Sequence, residues 1–392
     1  MREVVIVSAA RTPIGKIGGA LKGFKATELG GIAIKEAVKR AVIDPSTVDY
    51  AYVGQVLQGG CGQIPSRQAT VKGGLPYEVP SITIGKVCSS GINAINLANI
   101  KILSGQADIV VAAGMESMSN APYFLPNMRW GNKMGDVKAK DLMMHDGLWC
   151  SFYDRHMAVH GSEVAAEYGI SRQVQDEWAV RSQDLAISAI KGGRLKEEIV
   201  PVEIKSKKGV TVFDTDEGPR EGTTLEALAK LPPVFTKDGS VTAGNAPGVN
   251  DGGAALVLMS KEKAMSLGLK PLATIIDYAE VSQDPKYIAT VPGLSTVKLL
   301  NKNNLTIDQI KLFEVNEAFA AVALVSGQIA KWDPNKVNVD GGAIAFGHPI
   351  GASGARIVMH LIYALRAQGG GYGVAAICSG AAQGDAILIK VD

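Results

Sequence analysis

The feature that most constrains this fold is an internal repeat, because the last third of the chain resembles the first. Residues 88–91 (CSSG) align with residues 351–354 (GASG) at a shift of 263 residues (354 − 91), and the same shift places 111–113 on 374–376. Upstream, a shift of 262 residues aligns 48–54 with 310–316. Two nearly collinear matches predict a duplicated chain with two similar halves.

Both halves alternate short apolar strands with helical patterns. This alternation favours an α/β fold with mostly parallel sheets and right-handed crossovers. The continuous apolar run 109–113 (IVVAA) is typical of a strand that is covered on both faces. The predicted strands are 3–8, 48–54, 82–87, 108–113, 273–279, 310–315, 336–340 and 373–377, and the predicted helices are 27–42, 90–104, 171–191, 295–304 and 353–367.

The stretch 119–249 has no counterpart in the other half. It contains three of the four tryptophans and a helical pattern over 171–191, for which Ser171 is the expected N-cap. Excursions of this length are usually functional. We therefore predict three parts: a first half formed by 1–118 together with 250–270, an inserted loop or lid domain over 119–249, and a second half over 271–392.

Composition excludes several classes of protein. The formal net charge is +2 over 392 residues, which gives no support for nucleic-acid binding. No apolar run approaches about 18 residues, so no membrane span is expected. The first residues (MREVVIVSAARTP) indicate a strand rather than a targeting segment. Four cysteines in so long a chain do not form a disulfide framework, so a cytoplasmic location is predicted.

Two cysteines lie in small-residue turns that follow apolar strands. Cys88 precedes Ser-Ser-Gly and a helical pattern, and a helix N-terminus lowers the pKa of a thiol and favours a nucleophilic thiolate. Cys378 lies between a strand and Ser379-Gly380. The alternative for each is a small buried residue that simply packs well.

A histidine and an asparagine occupy similar places. His348 lies in the glycine-rich loop 341–354, where the backbone can approach a ligand closely, or it is a structural histidine. Asn316 follows the strand 312–315 and either caps the next helix or holds a water or a carbonyl oxygen. Because ligands of α/β sheets bind at the carboxyl ends of strands, pairing the halves can bring both residues and the two cysteines together.

No metal or nucleotide motif supports another chemistry. His156 and His160 are four residues apart, but no HExxH and no further ligand at a suitable spacing accompany them. Neither a GxGxxG after a strand nor a GxxxxGK[ST] is present. The sequence therefore predicts no metal ion.

These motifs together resemble the thiolase family. The resemblance covers essentially the whole chain, and its most specific segments are Cys88-Ser-Ser-Gly, 347–351 (GHPIG) and Cys378-Ser-Gly, supported by 114–119 (GMESMS) and 242–246 (TAGNA). It implies two βαβαβαββ halves that form a five-layered αβαβα core, an inserted loop domain, and a homotetramer. Within the family, these motifs resemble most the short-chain branch.

The resemblance also implies a reaction. Two molecules of acetyl-CoA would condense reversibly to acetoacetyl-CoA and CoA, with no cofactor. Cys88 would take the acetyl group, His348 would take the proton of Cys88, and Cys378 would remove a proton from C2 of the second acetyl-CoA. Asn316, through a water, and His348 would hold one thioester oxygen, and the backbone N–H groups of Cys88 and Gly380 would hold the other.

For coenzyme A, the resemblance points to the inserted segment and the loops beside it. Pro247 and Ala227 stand where the family pattern has serine, and a proline removes a donor, so weaker or rerouted anchoring of coenzyme A is expected. The residues expected to contact coenzyme A or the acyl group are Leu148, His156, Met157, Arg220, Ala243, Pro247, Ala318 and Phe319.

Three other functions remain as alternatives. A broader 3-ketoacyl-CoA thiolase of fatty-acid degradation would use the same residues on longer substrates. A decarboxylating condensing enzyme would replace Cys378 with histidine or asparagine. A non-enzymatic acyl-CoA carrier would lack one of the three reactive side chains.

Overall fold

The computed structural model describes residues 2–207 and 209–392, whose strands and helices are numbered here in chain order. The strands are β1 (Val4–Arg11), β2 (Gly15–Lys16), β3 (Tyr50–Gly54), β4 (Ser81–Ile84), β5 (Ile109–Ser117), β6 (Tyr123–Phe124), β7 (Lys140–Asp141), β8 (Trp149–Cys150), β9 (Arg155–His156), β10 (Val202–Ser206), β11 (Gly209–Phe213), β12 (Asn250–Ser260), β13 (Ala273–Ser282), β14 (Ile310–Val315), β15 (Gly371–Ser379) and β16 (Gln383–Val391). The α-helices are α1 (Ala26–Arg40), α2 (Pro65–Lys72), α3 (Ser90–Leu103), α4 (Met157–Glu167), α5 (Arg172–Lys191), α6 (Leu225–Ala229), α7 (Lys261–Ser266), α8 (Val291–Lys302), α9 (Ala320–Ala330), α10 (Ala343–Phe346) and α11 (Ser353–Ala367).

Ten strands of the described chain form one mixed sheet in the order β14-β15-β16-β13-β1-β12-β5-β3-β4, with β2 beside β12. The two halves meet where β1 pairs antiparallel with β13. Strand β3 is parallel to β4 and β5, and β14 is parallel to β15, whereas the remaining pairs are antiparallel. The expectation of mostly parallel sheets is therefore wrong. The sequence patterns missed β12 and β16, each of which returns antiparallel inside its half.

Alternate residues of the strands face two different layers of helices. Ala112, Leu256, Ala375 and Ile387 pack in one cluster with α3 and α11, between the two halves of the sheet. On the outer face of the first half, the strands pack against α1. On the outer face of the second half, they pack against α8 and α9. The result is the αβαβα layering expected for this α/β fold.

One predicted strand is not formed. Residues 336–340 contribute only an isolated bridge between Val337 and Phe313. The cause lies at Asn338, which has a left-handed backbone (φ 48°). Its side chain accepts from the N–H of Val315 (2.7 Å) and donates to the carbonyl oxygen of Val315 (2.9 Å), so it takes the hydrogen bonds that a neighbouring strand would make.

The segment 119–249 carries three short hairpins (β6–β7, β8–β9 and β10–β11) and the helices α4, α5 and α6. Ser171 caps α5 as predicted, since its hydroxyl accepts from the N–H of Val174 at 3.3 Å. Helix α4 was not predicted, and it places His156 and Met157 at its N-terminus. Across the described residues, every helix is too short or too polar to span a lipid bilayer.

Candidate active site

The centre of the site is a contact between the two halves of the chain. The Nε2 atom of His348 lies 3.2 Å from the Sγ atom of Cys88. Cys88 lies in the turn that leads into α3, and His348 lies in the loop that leads into α11. Since α3 and α11 pack side by side in the central layer, the duplication itself brings thiol and imidazole together.

Hydrogen bonds around His348 define which ring nitrogen carries the proton. The hydroxyl of Ser353 donates to the carbonyl oxygen of Pro349 (3.0 Å), so it accepts from Nδ1–H of His348 (2.6 Å). The Nε2 atom is then an acceptor that faces the thiol of Cys88. The backbone N–H of His348 donates to Oδ1 of Asn250 (2.9 Å), and this close approach requires the glycine at 347, which has φ 109° and no Cβ atom.

The turn before Cys88 is strained. Val87 is β-branched and has φ 43°, a backbone conformation that such residues rarely adopt. Ser90 stabilises the turn, since its hydroxyl accepts from the N–H of Lys86 (2.8 Å) and donates to the carbonyl oxygen of Val87 (2.7 Å). Strain of this kind is common where a side chain must be presented to a substrate.

The protonation state of Cys88 differs from the sequence expectation. Burial, with a smaller contribution from the negative charge of Glu116, raises the pKa of Cys88 to about 12, although N–H groups of Cys88 and Gly380 lower it. Burial and the positive charge of Arg356 lower the pKa of His348 to about 3. The lowered thiol pKa predicted from the helix N-terminus is therefore wrong, because desolvation outweighs the helix. The resting pair is a neutral thiol and a neutral imidazole.

Cys378 and Gly380 lie close to the sulfur of Cys88. Cys378 is fully buried near the end of β15, and burial together with the nearby sulfur of Cys88 raises its pKa well above the usual value. The backbone N–H of Gly380 points at the Cys88 sulfur. A Cβ atom at Gly380 would lie 3.3 Å from a methyl group of Val87, so the two cysteine turns pack directly against each other.

Asn316 contacts His348 rather than capping the next helix. Its Nδ2 atom is 3.4 Å from Nε2 of His348, and its Oδ1 atom is buried and has no hydrogen-bond partner among the described residues. Helix α9 begins four residues further on, at Ala320. An unpaired buried amide oxygen is a suitable acceptor for a bound water. Of the two interpretations of Asn316, the geometry therefore favours the one in which it serves the site.

An apolar cavity of about 240 Å³ leads to Cys88 and His348. The inserted segment supplies most of its wall, including Met143 and Phe235. A narrow, apolar passage of this kind suits a flexible chain with few polar groups. Seven of the residues expected to contact coenzyme A or the acyl group line it: Leu148, His156, Met157, Ala243, Pro247, Ala318 and Phe319.

His156 offers one polar group inside this apolar wall. Its Nδ1 atom accepts from the N–H of Ala158 (3.0 Å), so its ring proton is on Nε2 and is available to a ligand. Burial lowers the pKa of His156 to about 4, which keeps the ring neutral. The ring of Phe235 stacks on it with centroids 3.6 Å apart and fixes its orientation.

Two residues singled out from the sequence lie elsewhere. Arg220 and Ala227 are exposed, and Arg220 contacts the protein through its backbone N–H, which donates to Oε1 of Gln183 (2.8 Å). The contact of Arg220 with the nucleotide end of coenzyme A stays a prediction. In residues 2–207 and 209–392, His, Cys, Asp and Glu side chains form no group of three that could hold a metal ion.

Sequence reasoning missed the residues that hold the reactive groups in place. Ser353 orients His348, and the carboxylate of Glu116 accepts from the N–H of Gly351 (3.0 Å) in the loop that carries the histidine. Glu116 also accepts from Val56 (3.0 Å) and Leu57 (3.2 Å). The GMES segment carried a signal for Glu116, since a carboxylate inside an apolar strand must find donors.

A duplicated α/β fold with a buried Cys–His pair and a second cysteine beside it defines a class of thiol-dependent enzymes. Comparison with known families agrees with this class. Residues 4–262 match the model of the thiolase N-terminal domain, and residues 269–391 match that of the thiolase C-terminal domain. The chain belongs to the thiolase family.

Similar proteins span the full chain. It is 50% identical over 391 residues to an acetyl-CoA acetyltransferase of Cupriavidus necator and 47% identical over 393 residues to one of Pseudomonas aeruginosa, with all of both chains covered in each case. A crystal structure of the Bacillus anthracis acetyl-CoA acetyltransferase superposes with a TM-score of 0.98 at 41% identity. That alignment covers 100% of this chain and 99% of the other.

Proposed function

We propose that this protein is an acetyl-CoA C-acetyltransferase that condenses two molecules of acetyl-CoA to acetoacetyl-CoA and CoA, reversibly and by a ping-pong mechanism. The observation that carries the proposal is the 3.2 Å contact between Cys88 and His348 at the inner end of an apolar cavity, with Cys378 beside it. The names of the full-length relatives support the same activity.

The first half-reaction forms an S-acetyl-cysteine. Nε2 of His348 takes the thiol proton as the sulfur of Cys88 attacks the thioester carbonyl, so the thiolate exists only during the reaction. The C–S bond to coenzyme A breaks, and Cys378 gives its proton to the leaving thiolate. The enzyme then holds an acetyl group on Cys88, a proton on His348 and a thiolate at Cys378.

The second half-reaction makes the carbon–carbon bond. The thiolate of Cys378 removes a proton from C2 of a second acetyl-CoA, and the resulting enolate oxygen receives a hydrogen bond from protonated His348 and from a water on Asn316. The C2 carbon attacks the acetyl carbonyl, and the bond to Cys88 breaks. His348 returns its proton to the Cys88 sulfur, so all three groups recover their starting state.

The N–H groups of Cys88 and Gly380 serve the other carbonyl oxygen. Both N–H groups already point toward the Cys88 sulfur, and the oxygen of an acetyl group attached there lies within their reach. Donors that are fixed before the reaction lose little energy in reorganisation, which is why such oxyanion holes are effective.

Short acyl groups fit this site best. Met157 is largely buried and lies beside Gly380. A Cβ atom at Gly380 would be only 3.5 Å from the Met157 sulfur. A thioether at this place limits the length of the group bound to Cys88. We therefore prefer acetoacetyl-CoA to the longer substrates of a broad 3-ketoacyl-CoA thiolase.

The proposal includes a cytoplasmic enzyme that needs no cofactor and works as a homotetramer. Three of the four free cysteines are buried and none is paired in the described chain, in keeping with a reducing compartment. Cys88, His348 and Cys378 together supply a nucleophile, a base and a second acid and base, so the proposed reaction needs no cofactor. Size-exclusion chromatography with light scattering would measure the oligomeric state.

The test is thiolysis of acetoacetyl-CoA by the wild type, Cys88→Ala and Cys378→Ala, with 3-ketooctanoyl-CoA as the longer substrate. We expect each alanine variant to lose at least about 10³-fold in kcat, because each removes a group that reacts directly. Cys61→Ala is the matched control, since Cys61 is a free thiol outside the cavity, and it should keep wild-type activity.

Two outcomes would count against the proposal. If radiolabelled acetyl-CoA leaves no acetyl group on Cys88, the covalent mechanism is wrong. If 3-ketooctanoyl-CoA is cleaved as fast as acetoacetyl-CoA, the protein is the broader thiolase.

A further inference from the structure

Lys86 connects the two cysteine turns. Its carbonyl oxygen accepts from the hydroxyl of Ser379 (2.6 Å), which directly follows Cys378, and its N–H donates to Ser90 (2.8 Å), two residues after Cys88. Its Nζ atom binds Oδ1 of Asp385 at 2.8 Å. Lys86 therefore touches both turns with its backbone and the second half of the sheet with its side chain.

Asp385 is an unusual partner because it is buried. Its side chain is 0% exposed on β16, where Asp385 pairs with Ile377 of β15, one residue before Cys378. The hydroxyl of Tyr278 donates to the same carboxylate oxygen, and Glu280 provides Lys86 with a second, half-exposed partner. A buried carboxylate is costly unless it is paired, so the contacts of Asp385 with Lys86 and Tyr278 offset part of the cost of its burial.

Burial affects both members of the pair, and it raises the pKa of Asp385 although the charge of Lys86 lowers it. Burial is the largest effect on Lys86 and would lower its pKa, but the charges of Asp385 and Glu280 and the hydrogen bonds to them together outweigh burial, and the pKa is raised. Lys86 is thus an ammonium group whose side chain is only 17% exposed. Val87 and Cys88 directly follow Lys86 along the chain, so the ion pair anchors the segment that leads into the turn of the nucleophile.

We propose that the Lys86–Asp385 pair is a positioning device that sets the placement of the Cys88 turn against Cys378. The inference rests on the proposed function. In that reaction, Cys378 removes a proton from C2 of the second acetyl-CoA, and the same carbon must then reach the acetyl group on Cys88. Attack by Cys88 on a thioester needs His348 as the base, and attack on an alkylating reagent needs only the deprotonated sulfur of Cys88. Proton removal by Cys378 and bond formation to the acetyl group need the sulfurs of Cys88 and Cys378 at the correct distance and orientation. Carbon–carbon bond formation should therefore depend on the pair more than the reactivity of Cys88 does.

The test compares two readouts in Lys86→Met, Asp385→Asn and the double variant. The first readout is the rate of Cys88 alkylation by iodoacetamide, followed by intact-mass spectrometry. The second is exchange of the C2 protons of acetyl-CoA with deuterated water, followed by NMR. We expect alkylation to stay within about 3-fold, and exchange and condensation to fall by about 10²-fold, since a misplacement of about 1 Å costs this much.

The double variant protects the test from a simple loss of stability. Lys86→Met alone leaves the buried carboxylate of Asp385 without its ion-pair partner, whereas Lys86→Met with Asp385→Asn removes both charges and keeps similar volumes. Lys302→Met is the control, because Lys302 forms a more exposed ion pair with Asp277 (2.6 Å) that joins α8 to β13 instead of the two cysteine turns. The control should leave both readouts unchanged.

The outcomes separate the two proposals. If the folded double variant exchanges C2 protons at the wild-type rate, or if alkylation and exchange fall together, the pair is not a positioning device. If the wild type itself fails to exchange C2 protons, the proposed function is what fails.

Discussion

Nε2 of His348 lies 3.2 Å from Sγ of Cys88, although 260 residues separate the two along the chain. The contact joins the equivalent loops of the two halves, each directly before a central helix. Both groups are buried, so each is neutral at rest, and the proton moves only when a substrate is present. A thiol held in this state avoids side reactions in the absence of acetyl-CoA.

The neutral pair predicts how the reactivity of Cys88 changes with pH. Because the pKa of Cys88 is raised to about 12 and that of His348 is lowered to about 3, the thiolate fraction rises across the whole neutral range. The rate of alkylation by iodoacetamide should rise by about tenfold per pH unit between about pH 6 and pH 10. A rate that is constant over this range would instead indicate a preformed thiolate–imidazolium pair.

Ser353→Ala should lower kcat by about 10-fold, because Nδ1–H of His348 loses its acceptor and the tautomer with a free Nε2 is no longer favoured. Steady-state thiolysis of acetoacetyl-CoA measures this, with KM expected to change less than kcat. Ser295→Ala is the matched control, since Ser295 is also buried at the start of a helix and bonds a proline carbonyl oxygen (3.1 Å), but it contacts no histidine. Equal losses in both variants would show that Ser353 acts through stability alone.

Gly380→Ala should lower kcat by about 10²-fold, the usual cost of one misplaced oxyanion donor. The added methyl would meet a methyl of Val87 at 3.3 Å, which is tighter than most such contacts, so Val87 or the backbone at residue 380 must shift by a few tenths of an ångström. Gly23→Ala places a methyl in open space and should have no effect on kcat. Wild-type kcat in Gly380→Ala would remove this N–H from the mechanism.

His360 predicts a pH-dependent contribution to stability. Burial is the largest effect and would lower its pKa, but the charges of Glu198 and Glu314 and the hydrogen bond with Glu198 (3.0 Å) together outweigh burial and raise it to about 9. A raised pKa in the folded state stabilises the protein fully below the unfolded value of about 6.5, and this stabilisation is lost as the pH rises to about 9. The wild type should therefore have a larger free energy of unfolding than His360→Gln at low pH. This difference should decrease by about 3 kcal/mol as the pH rises from about 6.5 to about 9.

Urea unfolding at several pH values between about 6 and 9 measures this difference. Tyr363→Phe is the control, because Tyr363 lies on the same helix and donates to the carbonyl oxygen of Ala9 (3.0 Å). Tyr363→Phe should lower the free energy of unfolding by about 1 kcal/mol. This loss should not depend on pH over that range, since the pKa of Tyr363 is raised above its usual value of 10. A pH-independent difference for His360→Gln would contradict the prediction.

Local patterns were sufficient where the backbone follows its own sequence. The helical periods over 90–104 and 353–367 correspond closely to α3 and α11, and the cap at Ser171 is present. They failed where a distant group intervenes. The sequence pattern of 336–340 predicts a strand, but the side chain of Asn338 takes the hydrogen bonds of Val315 that a neighbouring strand would make. The pattern did not predict β12, because the first residues of this strand are polar or glycine.

The sequence by itself determined the duplication, the α/β class, the family and the candidate cysteine, histidine and asparagine residues of the site, because each of these can be recognised from sequence motifs and their spacing. Only the tertiary structure decided the state of the thiol of Cys88, which burial keeps protonated against the pull of the helix, and the tautomer of His348, which Ser353 fixes. The physical reason is that desolvation and hydrogen bonding depend on what surrounds a group in space, and most of those neighbours lie far away along the chain.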